Sequence, residues 1–221
     1  MTPYYRLKPR IISKFPSKIA FTSAIVILCT LLFYGCLPSK QPPITIDYYT
    51  LDYEPPPANE APVIPVIIAV DRFSSSPEYQ TDKMLYQEKK ATISAYTYHR
   101  WRTTPADIVS YYLARDLQAS KLFLAVTSPS GRLRPTHRLE GVVDKFIESD
   151  EEPYWYAVIS VTITVVKEAE PDVTKQVLTQ QSFSSKIRCQ EKSPLAVSQA
   201  MALAMAEITH DITILLAKKL R

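Results

Sequence analysis

Acidic, histidine and serine residues are the first candidates for chemistry in this sequence. Asp150, Glu151 and Glu152 could bind a cation or form a carboxylate pair, but no histidine or second acidic group stands beside them, which favours a solvated turn. The serines of residues 74–76 lack the G-x-S-x-G elbow of a hydrolase. The three histidines are too scattered for metal-ligand spacing: His99, His137 and His210. These patterns predict neither a catalytic site nor a metal site.

Glycine content and charge exclude further classes of function. The chain has 221 residues but only three glycines, so it has no room for a P-loop or a dinucleotide fingerprint, and we expect no cofactor. Five of the 26 basic residues and none of the 22 acidic residues precede residue 36. The remaining chain is therefore nearly neutral and lacks the basic surface typical of nucleic-acid binding.

The first 36 residues have the layout of a targeting segment. A basic region ends at Lys18, and an uncharged apolar stretch runs over residues 19–35 to Cys36. Gly35-Cys36 resembles a lipobox, the bacterial lipoprotein signal, although Phe33 and Tyr34 depart from its usual residues. The resemblance implies that residues 1–35 are a signal peptide and that Cys36 is acylated, for example with palmitate. An uncleaved membrane anchor is the alternative.

A proline-rich segment follows the lipidation candidate. Residues 37–65 contain eight prolines, and we expect residues 36–45 to form an extended tether between the lipidated Cys36 and the folded domain. If Cys29 leaves with the signal peptide, Cys189 is the one cysteine left in the domain, so an intrachain disulfide is not expected.

Apolar patterns predict a sheet. Residues 155–165 alternate apolar and polar side chains, which is typical of a strand with one buried face, and neighbouring runs predict a meander. Residues 44–53 predict a first strand at a sheet edge, and residues 66–70 predict a buried central strand. The predicted fold class is α/β (α+β): one domain with a mixed, largely antiparallel sheet of about seven strands and two main helices packed on it.

Two capping patterns predict those helices. Thr104 is a candidate N-cap for a helix that starts at Pro105 and ends near residue 119. Ser193 caps a long final helix, in which Leu203 and Ile208 are expected to be buried against the sheet.

Several short motifs, in order and at matching spacing, resemble one family. The chain is similar to the ABC-type transport auxiliary lipoprotein components, the periplasmic lipoproteins found with Mce-domain lipid transport systems. The resemblance covers residues 46–221. It is carried by the following motifs: Tyr48-Tyr49-Thr50-Leu51, Val70-Asp71-Arg72-Phe73, Met84-Leu85-Tyr86, Tyr98 to Pro105, Leu139-Glu140-Gly141, Trp155-Tyr156-Ala157, and the Ala/Met-rich final helix from Ala200.

This resemblance implies a non-enzymatic accessory role in lipid transport. The implied partners are an Mce-domain protein and an ABC permease and ATPase complex, and the implied location is the periplasm. The lipid anchor is expected in the outer membrane, because Leu37 and Pro38 differ from the Asp that retains lipoproteins at the inner membrane. Two other hypotheses stay open: a lipid-binding carrier with its own hydrophobic cavity, and an envelope enzyme.

Aromatic residues offer a candidate partner-binding surface. Tyr48, Tyr49 and Tyr53 lie on or beside the predicted edge strand, where an unpaired edge can add a strand from a partner or from a second copy of the chain. Packing within the core and across strands is the alternative role for these aromatic side chains.

Acylation of Cys36 is directly testable. We expect the mature protein extracted from membranes to begin at Cys36 and to carry the mass of attached lipid. Intact-mass spectrometry checks both points, with Cys36→Ala as the control that should remain unprocessed. A chain that begins at Met1 without lipid contradicts lipoprotein status.

Overall fold

In the computed structural model, residues 43–128 and 131–221 are described, together with Thr22. The predicted signal peptide over residues 1–35, the lipidation candidate Cys36 and most of the predicted tether therefore lie outside the described residues. From Ile44 to Arg221 the chain folds as one unit. The domain start at residue 46 stays a prediction.

Nine strands among the described residues form a single mixed sheet, in the order β1-β5-β4-β7-β2-β6 with β8, β9 and β3 attached through β7 and β8. The strands are β1 (Asp47–Tyr49), β2 (Ile64–Val70), β3 (Ser74–Ser75), β4 (Lys83–Gln87), β5 (Ser94–Trp101), β6 (Phe123–Thr127), β7 (His137–Glu151), β8 (Tyr154–Lys167) and β9 (Val177–Arg188). The helices are α1 (Pro105–Ala119), α2 (Val173–Gln176) and α3 (Pro194–Lys219).

The predicted fold class is confirmed: a mixed α+β domain with two main helices, α1 and α3, packed on a curled sheet. The sheet has nine strands rather than about seven. One strand without a sequence signal is the two-residue β3, in which Ser74 and Ser75 pair with β7. The strands β4 and β5 form an antiparallel hairpin, and the predicted meander is present as antiparallel β7, β8 and β9.

Alternation along β8 determines where the core lies. Every second residue from Ala157 to Val165 is 0–1% exposed, and the intervening residues are partly exposed. The buried face packs against α3, whose own buried residues include Met201, Met205 and Ile208. The apolar pattern of the sequence is thus converted into a sheet–helix core.

The helix α3 is also long and apolar enough to cross a membrane, and among the described helices it is the one that passes this test. Half of its most apolar window is buried inside the protein, against β8 and β9. Core packing therefore accounts for the apolar residues on the buried side of this helix.

Leu203 corrects the prediction for this helix. Ile208 is buried as expected at 1% exposure, but Leu203 is 56% exposed. At 100° per residue, Leu203 lies about 160° around the helix axis from the buried Met205, so it faces solvent. Because α3 carries apolar residues on both faces, the apolar side chain of Leu203 does not show whether this residue faces the sheet or the solvent.

The two helix starts differ in their caps. The Ser193 hydroxyl accepts a hydrogen bond from the backbone N–H of Ala196, as an N-cap does. Thr104 makes no such cap. Its hydroxyl donates instead to the Asp107 carboxylate at 2.8 Å, and Asp107 also pairs with Arg72.

One glycine is required by packing in the middle of β7. A Cβ on Gly141 would lie 2.2 Å from the Phe73 ring, so only glycine lets this ring pack against the strand. Two short motifs of the sequence, around Phe73 and around Gly141, therefore meet in space.

We expect Ile208→Ala to lower the free energy of unfolding by about 2–5 kcal/mol, because it opens a cavity between α3 and the sheet. Leu203→Ala on the same helix is the matched control and should change it by less than about 0.5 kcal/mol. Chemical denaturation of the two variants measures both values. Equal losses for the two variants contradict the assigned helix face.

Candidate functional site

The edge strand β1 carries the candidate partner-binding residues. β1 is at one end of the sheet and pairs in parallel with β5, where Tyr48 lies opposite Arg100. The Tyr49 carbonyl accepts a hydrogen bond from the Arg102 N–H at 2.9 Å. Among the described strands, none pairs with the other side of β1. The predicted sheet-edge position is confirmed, although the strand is three residues long rather than ten.

A small groove lies beside this edge. It has a volume of about 230 Å³ and is lined by Tyr48, Tyr49 and, from the first turn of α3, Leu195 and Ser198. Tyr48 is 54% exposed and Leu195 is 55% exposed. Two large apolar side chains thus flank an unpaired strand, a combination suited to an added strand with side-chain contacts.

Tyr49 is held by a group of side chains that we name the Glu148 cluster: Tyr49, Tyr86, Tyr96, His99 and Glu148. Tyr49 Oη and His99 Nδ1 are 3.1 Å apart, and the His99 ring packs edge-on against Tyr96. Tyr96 Oη donates to Glu148 Oε2 at 2.8 Å. Contacts therefore run without a break from the sheet edge to a carboxyl group inside the protein.

Glu148 is an unusual residue for the interior. It is 1% exposed, and its Oε1 has no hydrogen-bond partner among the described residues. Burial raises the pKa of Glu148 from 4.5 to about 7, while the hydrogen bond from Tyr96 opposes the rise and Asp150 adds to it. Near neutral pH the carboxyl group is therefore partly protonated.

Tyr53 belongs to a second group, named here the Asp116 cluster: Tyr53, Tyr112, Arg115, Asp116 and Thr209. Asp116 is fully buried, and its Oδ2 accepts hydrogen bonds from Tyr53 Oη at 2.7 Å and Thr209 Oγ1 at 2.8 Å. Arg115 Nε donates to its Oδ1 at 2.8 Å. Burial and the hydrogen bond to Asp116 raise the pKa of Tyr53.

Arg115 completes this cluster by packing on aromatic rings. Its guanidinium carbon lies 4.3 Å from the Tyr53 ring centroid and 4.6 Å from that of Tyr112. Arg115 Nη1 also donates to the Tyr53 carbonyl at 3.1 Å, and Tyr112 Oη donates to the Leu51 carbonyl. These contacts fix residues 51–53, the segment directly after β1, onto α1 and α3.

The three candidate tyrosines therefore occupy different environments. Tyr48 presents its side chain to solvent, Tyr49 has its hydroxyl on His99, and Tyr53 has its hydroxyl on the buried Asp116. Sequence reasoning missed Leu195, which the structure places beside Tyr48. One signal was available in the sequence: Leu195 is apolar and directly follows Pro194 in the first turn of the helix, where exposed positions are usually polar. Such a residue indicates a candidate contact surface.

The other candidate groups have ordinary partners. The acidic residues of the β7–β8 turn form ion pairs with lysines: Lys192 lies 3.5 Å from Asp150 and 2.8 Å from Glu152, and Lys186 lies 2.7 Å from Glu151. In the described part of the chain, no group of three His, Cys, Asp or Glu residues could hold a metal ion.

Cys189 does not supply a reactive thiolate. It is a free cysteine, 4% exposed, and burial raises its pKa to about 11. At neutral pH the group therefore stays a thiol, which is a poor nucleophile.

Comparison with known proteins gives one family. A family model described as the ABC-type transport auxiliary lipoprotein component matches residues 49–213. This span starts inside β1 and ends in α3, so it includes both clusters. A search of curated proteins gives no match.

Solved structures share the fold at low sequence identity. Protein XCC0632 from Xanthomonas campestris is 15% identical, with a TM-score of 0.69 over 78% of this chain and 96% of that one. An uncharacterized protein is 14% identical, with a TM-score of 0.61 over 78% and 99%. The hypothetical protein CT253 from Chlamydia trachomatis is 11% identical, with a TM-score of 0.50 over 71% and 98%. At such identities these similarities concern the fold alone.

The pKa of Glu148 predicts a pH dependence of stability. The folded protein keeps this proton to higher pH than the unfolded chain, so the stabilisation is complete below about pH 4.5 and is lost as the pH rises through about 7. Relative to Glu148→Gln, which cannot ionise, the wild type should lose on the order of 3 kcal/mol between pH 4.5 and 8.

Urea unfolding across this pH range measures the difference. Glu140→Gln, an exposed glutamate on the same strand, is the matched control and should follow the wild-type pH profile. Parallel stability profiles for wild type and Glu148→Gln contradict the raised pKa.

Proposed function

The chain belongs to the ABC-type transport auxiliary lipoprotein component family, and we propose that it is a membrane-anchored periplasmic accessory subunit of an Mce-type lipid transport system. In this role it binds an Mce-domain protein or the ABC permease complex through protein–protein contacts and carries out no catalysis. Family membership supports an envelope lipoprotein associated with ABC transport. The specific system and the partner are parts of the proposal.

Attachment to the membrane follows from the N-terminal layout. Acylated Cys36, after removal of residues 1–35, tethers the domain to the outer membrane facing the periplasm. Residues 37–46 are about ten residues that can span roughly 30 Å if extended as polyproline, so the domain stays close to the bilayer. A single-point tether of this length leaves the docking surface free to meet a partner that bridges the envelope.

The observation that carries the docking proposal is the outer side of β1, which no described strand pairs with and which exposed Tyr48 and Leu195 flank. A partner strand added there gains main-chain hydrogen bonds from the edge and apolar contacts from these two side chains. β1 is three residues long, so a partner strand would be short, and the side-chain contacts would supply most of its specificity. A second copy of this chain could supply the strand instead, which would make the protein a homo-oligomer.

The alternative function is a lipid-binding carrier, and one observation favours it. A groove of about 670 Å³ lies between the proline-rich residues 56–59 and the C-terminal half of α3. It is open to solvent and separate from the β8–α3 core. No group among the described residues favours an envelope enzyme.

Substitution of Tyr48 tests the docking surface. We expect Tyr48→Asp in the full-length chain to reduce capture of the Mce-domain partner from detergent-solubilised membranes at least about tenfold, because a charge replaces an aromatic contact at the centre of the site. Tyr154→Asp, which alters a tyrosine of similar exposure at the start of β8, is the matched control and should bind as wild type does.

Equal capture by wild type and Tyr48→Asp removes the β1 edge as the docking surface. Failure of the wild type to capture any Mce-domain or permease component contradicts the accessory role itself.

A further inference from the structure

The longest edge of the sheet is the outer side of β9. This strand has twelve residues, and among the described strands it pairs with β8 alone. Two other edge strands, β1 and β6, are only three and five residues long. An unpaired row of N–H and C=O groups bonds readily to another strand, so proteins keep edge strands short, charged or covered. We expect an edge as long as β9 to be covered in the assembled protein.

The middle of β9 has none of the features that protect an edge strand. Residues 179–185 contain no charged residue and no proline, and the irregularity in the pairing with β8 comes before them, between Val177 and Thr179. Gln180, Gln181 and Ser182 are exposed in succession. Because successive side chains of a strand point to opposite faces, the described part of the chain covers neither face here.

The two cations at the end of β9 lie over its paired side. Lys186 Nζ is 2.7 Å from Glu151 Oε2, at the end of β7, and 4.4 Å from the centroid of the Tyr156 ring on β8. The guanidinium carbon of Arg188 is 4.2 Å from the centroid of the Tyr154 ring, also on β8. These contacts hold both charged groups over β8, so they do not block the outer edge of β9.

We propose that two copies of this chain join through β9, antiparallel about a two-fold axis at Ser182, so that the two sheets become one. Ser182 is the centre of the uncharged segment 179–185, and a pairing centred there uses the whole segment of both copies. Gln180 then lies opposite Ser184 of the second copy, and Lys186 lies opposite Leu178. The inference goes beyond the proposed function and does not depend on it.

Charge and hydrogen-bonding chemistry favour a second copy in this orientation. A parallel pairing in register would place Lys186 against Lys186, and like charges directly opposite each other are destabilising, whereas the antiparallel pairing places the cations at opposite ends. Every residue from 179 to 185 except Phe183 has a hydroxyl or amide side chain, which both donates and accepts hydrogen bonds. The segment is therefore complementary to itself, as a two-fold interface requires.

This interface is separate from the docking surface at β1. In the sheet, β5, β4, β7 and β8 lie between β1 and β9. A second copy at β9 therefore leaves Tyr48 and the β1 edge available to a transport partner.

Cysteine crosslinking in membranes tests the pairing and its register. The full-length chain carries Cys189→Ser together with Ser182→Cys, and membranes are oxidised with copper phenanthroline. Directly opposed residues of antiparallel strands have Cα atoms about 5 Å apart, within disulfide range. Gln180→Cys is the matched control, because its two copies would lie four residues, or about 14 Å, apart along the strands. The Cys189→Ser chain with no added cysteine gives the background.

We expect Ser182→Cys to form at least about tenfold more disulfide-linked dimer than Gln180→Cys. Gln180→Cys should form the dimer when it is coexpressed with Ser184→Cys, because these two residues lie opposite each other. No dimer at 182, equal dimer at 182 and at 180 alone, or no dimer from the 180 and 184 pair overturns the proposal.

The native mass of the detergent-extracted full-length protein gives an independent test. Light scattering should show a dimer for the wild type, and Ser182→Lys should weaken it at least about tenfold, because two lysines then meet at the axis. Val142→Lys is the matched control: Val142 lies in the same cross-strand row on β7, an inner strand, and its substitution should leave the dimer intact. A monomeric wild type, or equal weakening by the two lysine variants, contradicts the β9 interface.

Tyr48→Asp separates this result from that of the docking proposal. We expect the variant to keep the disulfide-linked dimer at 182 even where it fails to capture a transport partner. Loss of the crosslink in Tyr48→Asp would place the second copy at β1 and overturn the proposal for β9.

Discussion

A fully buried carboxylate, Asp116, holds together three parts of the chain that the sheet does not connect. Its oxygens bind Tyr53 from the segment after β1, Arg115 on its own helix and Thr209 on α3. Removing one partner from such a buried network typically costs about 3–5 kcal/mol, because the remaining charge and hydroxyls lose their partners in the interior. β1 is only three residues long and has few ladder hydrogen bonds of its own, so the Asp116 cluster helps to hold it at the sheet edge.

The Glu148 cluster also holds β1, through the side chain of Tyr49. Tyr49 contacts His99, whose ring packs on Tyr96, and Tyr96 reaches the buried Glu148 on β7. β1 is therefore fixed by a tyrosine within it and by a tyrosine four residues later, each through a hydroxyl. Tyr48, directly before Tyr49 in β1, is left exposed. The same polar contacts that immobilise the edge strand thus leave a single aromatic residue free to meet a partner.

Much of the fold could be predicted because it follows from local periodicity. The alternation of residues 155–165 is strong enough to identify β8 and its buried face, and Ser193-Pro194 marks the start of α3. The prediction for Leu203 is wrong because α3 is apolar on nearly every side. Its apolar pattern therefore does not show which side of the helix faces the sheet. β3 was missed because two residues of strand are defined by pairing with β7 rather than by their own propensity. The two clusters were not predictable, since Asp116 meets Tyr53 and Thr209 across 63 and 93 residues of sequence.

Hydrogen–deuterium exchange of the full-length protein, free and bound to its transport partner, tests the central claim most directly. The account predicts that Asp116→Asn speeds exchange over residues 47–53 while β7 and β8 stay protected. It also predicts that partner binding slows exchange over residues 47–49 in the wild type and has a much smaller effect in Asp116→Asn. Unchanged exchange over residues 47–53 in Asp116→Asn contradicts this account. So does partner-induced protection at β6 or β9 with β1 unaffected.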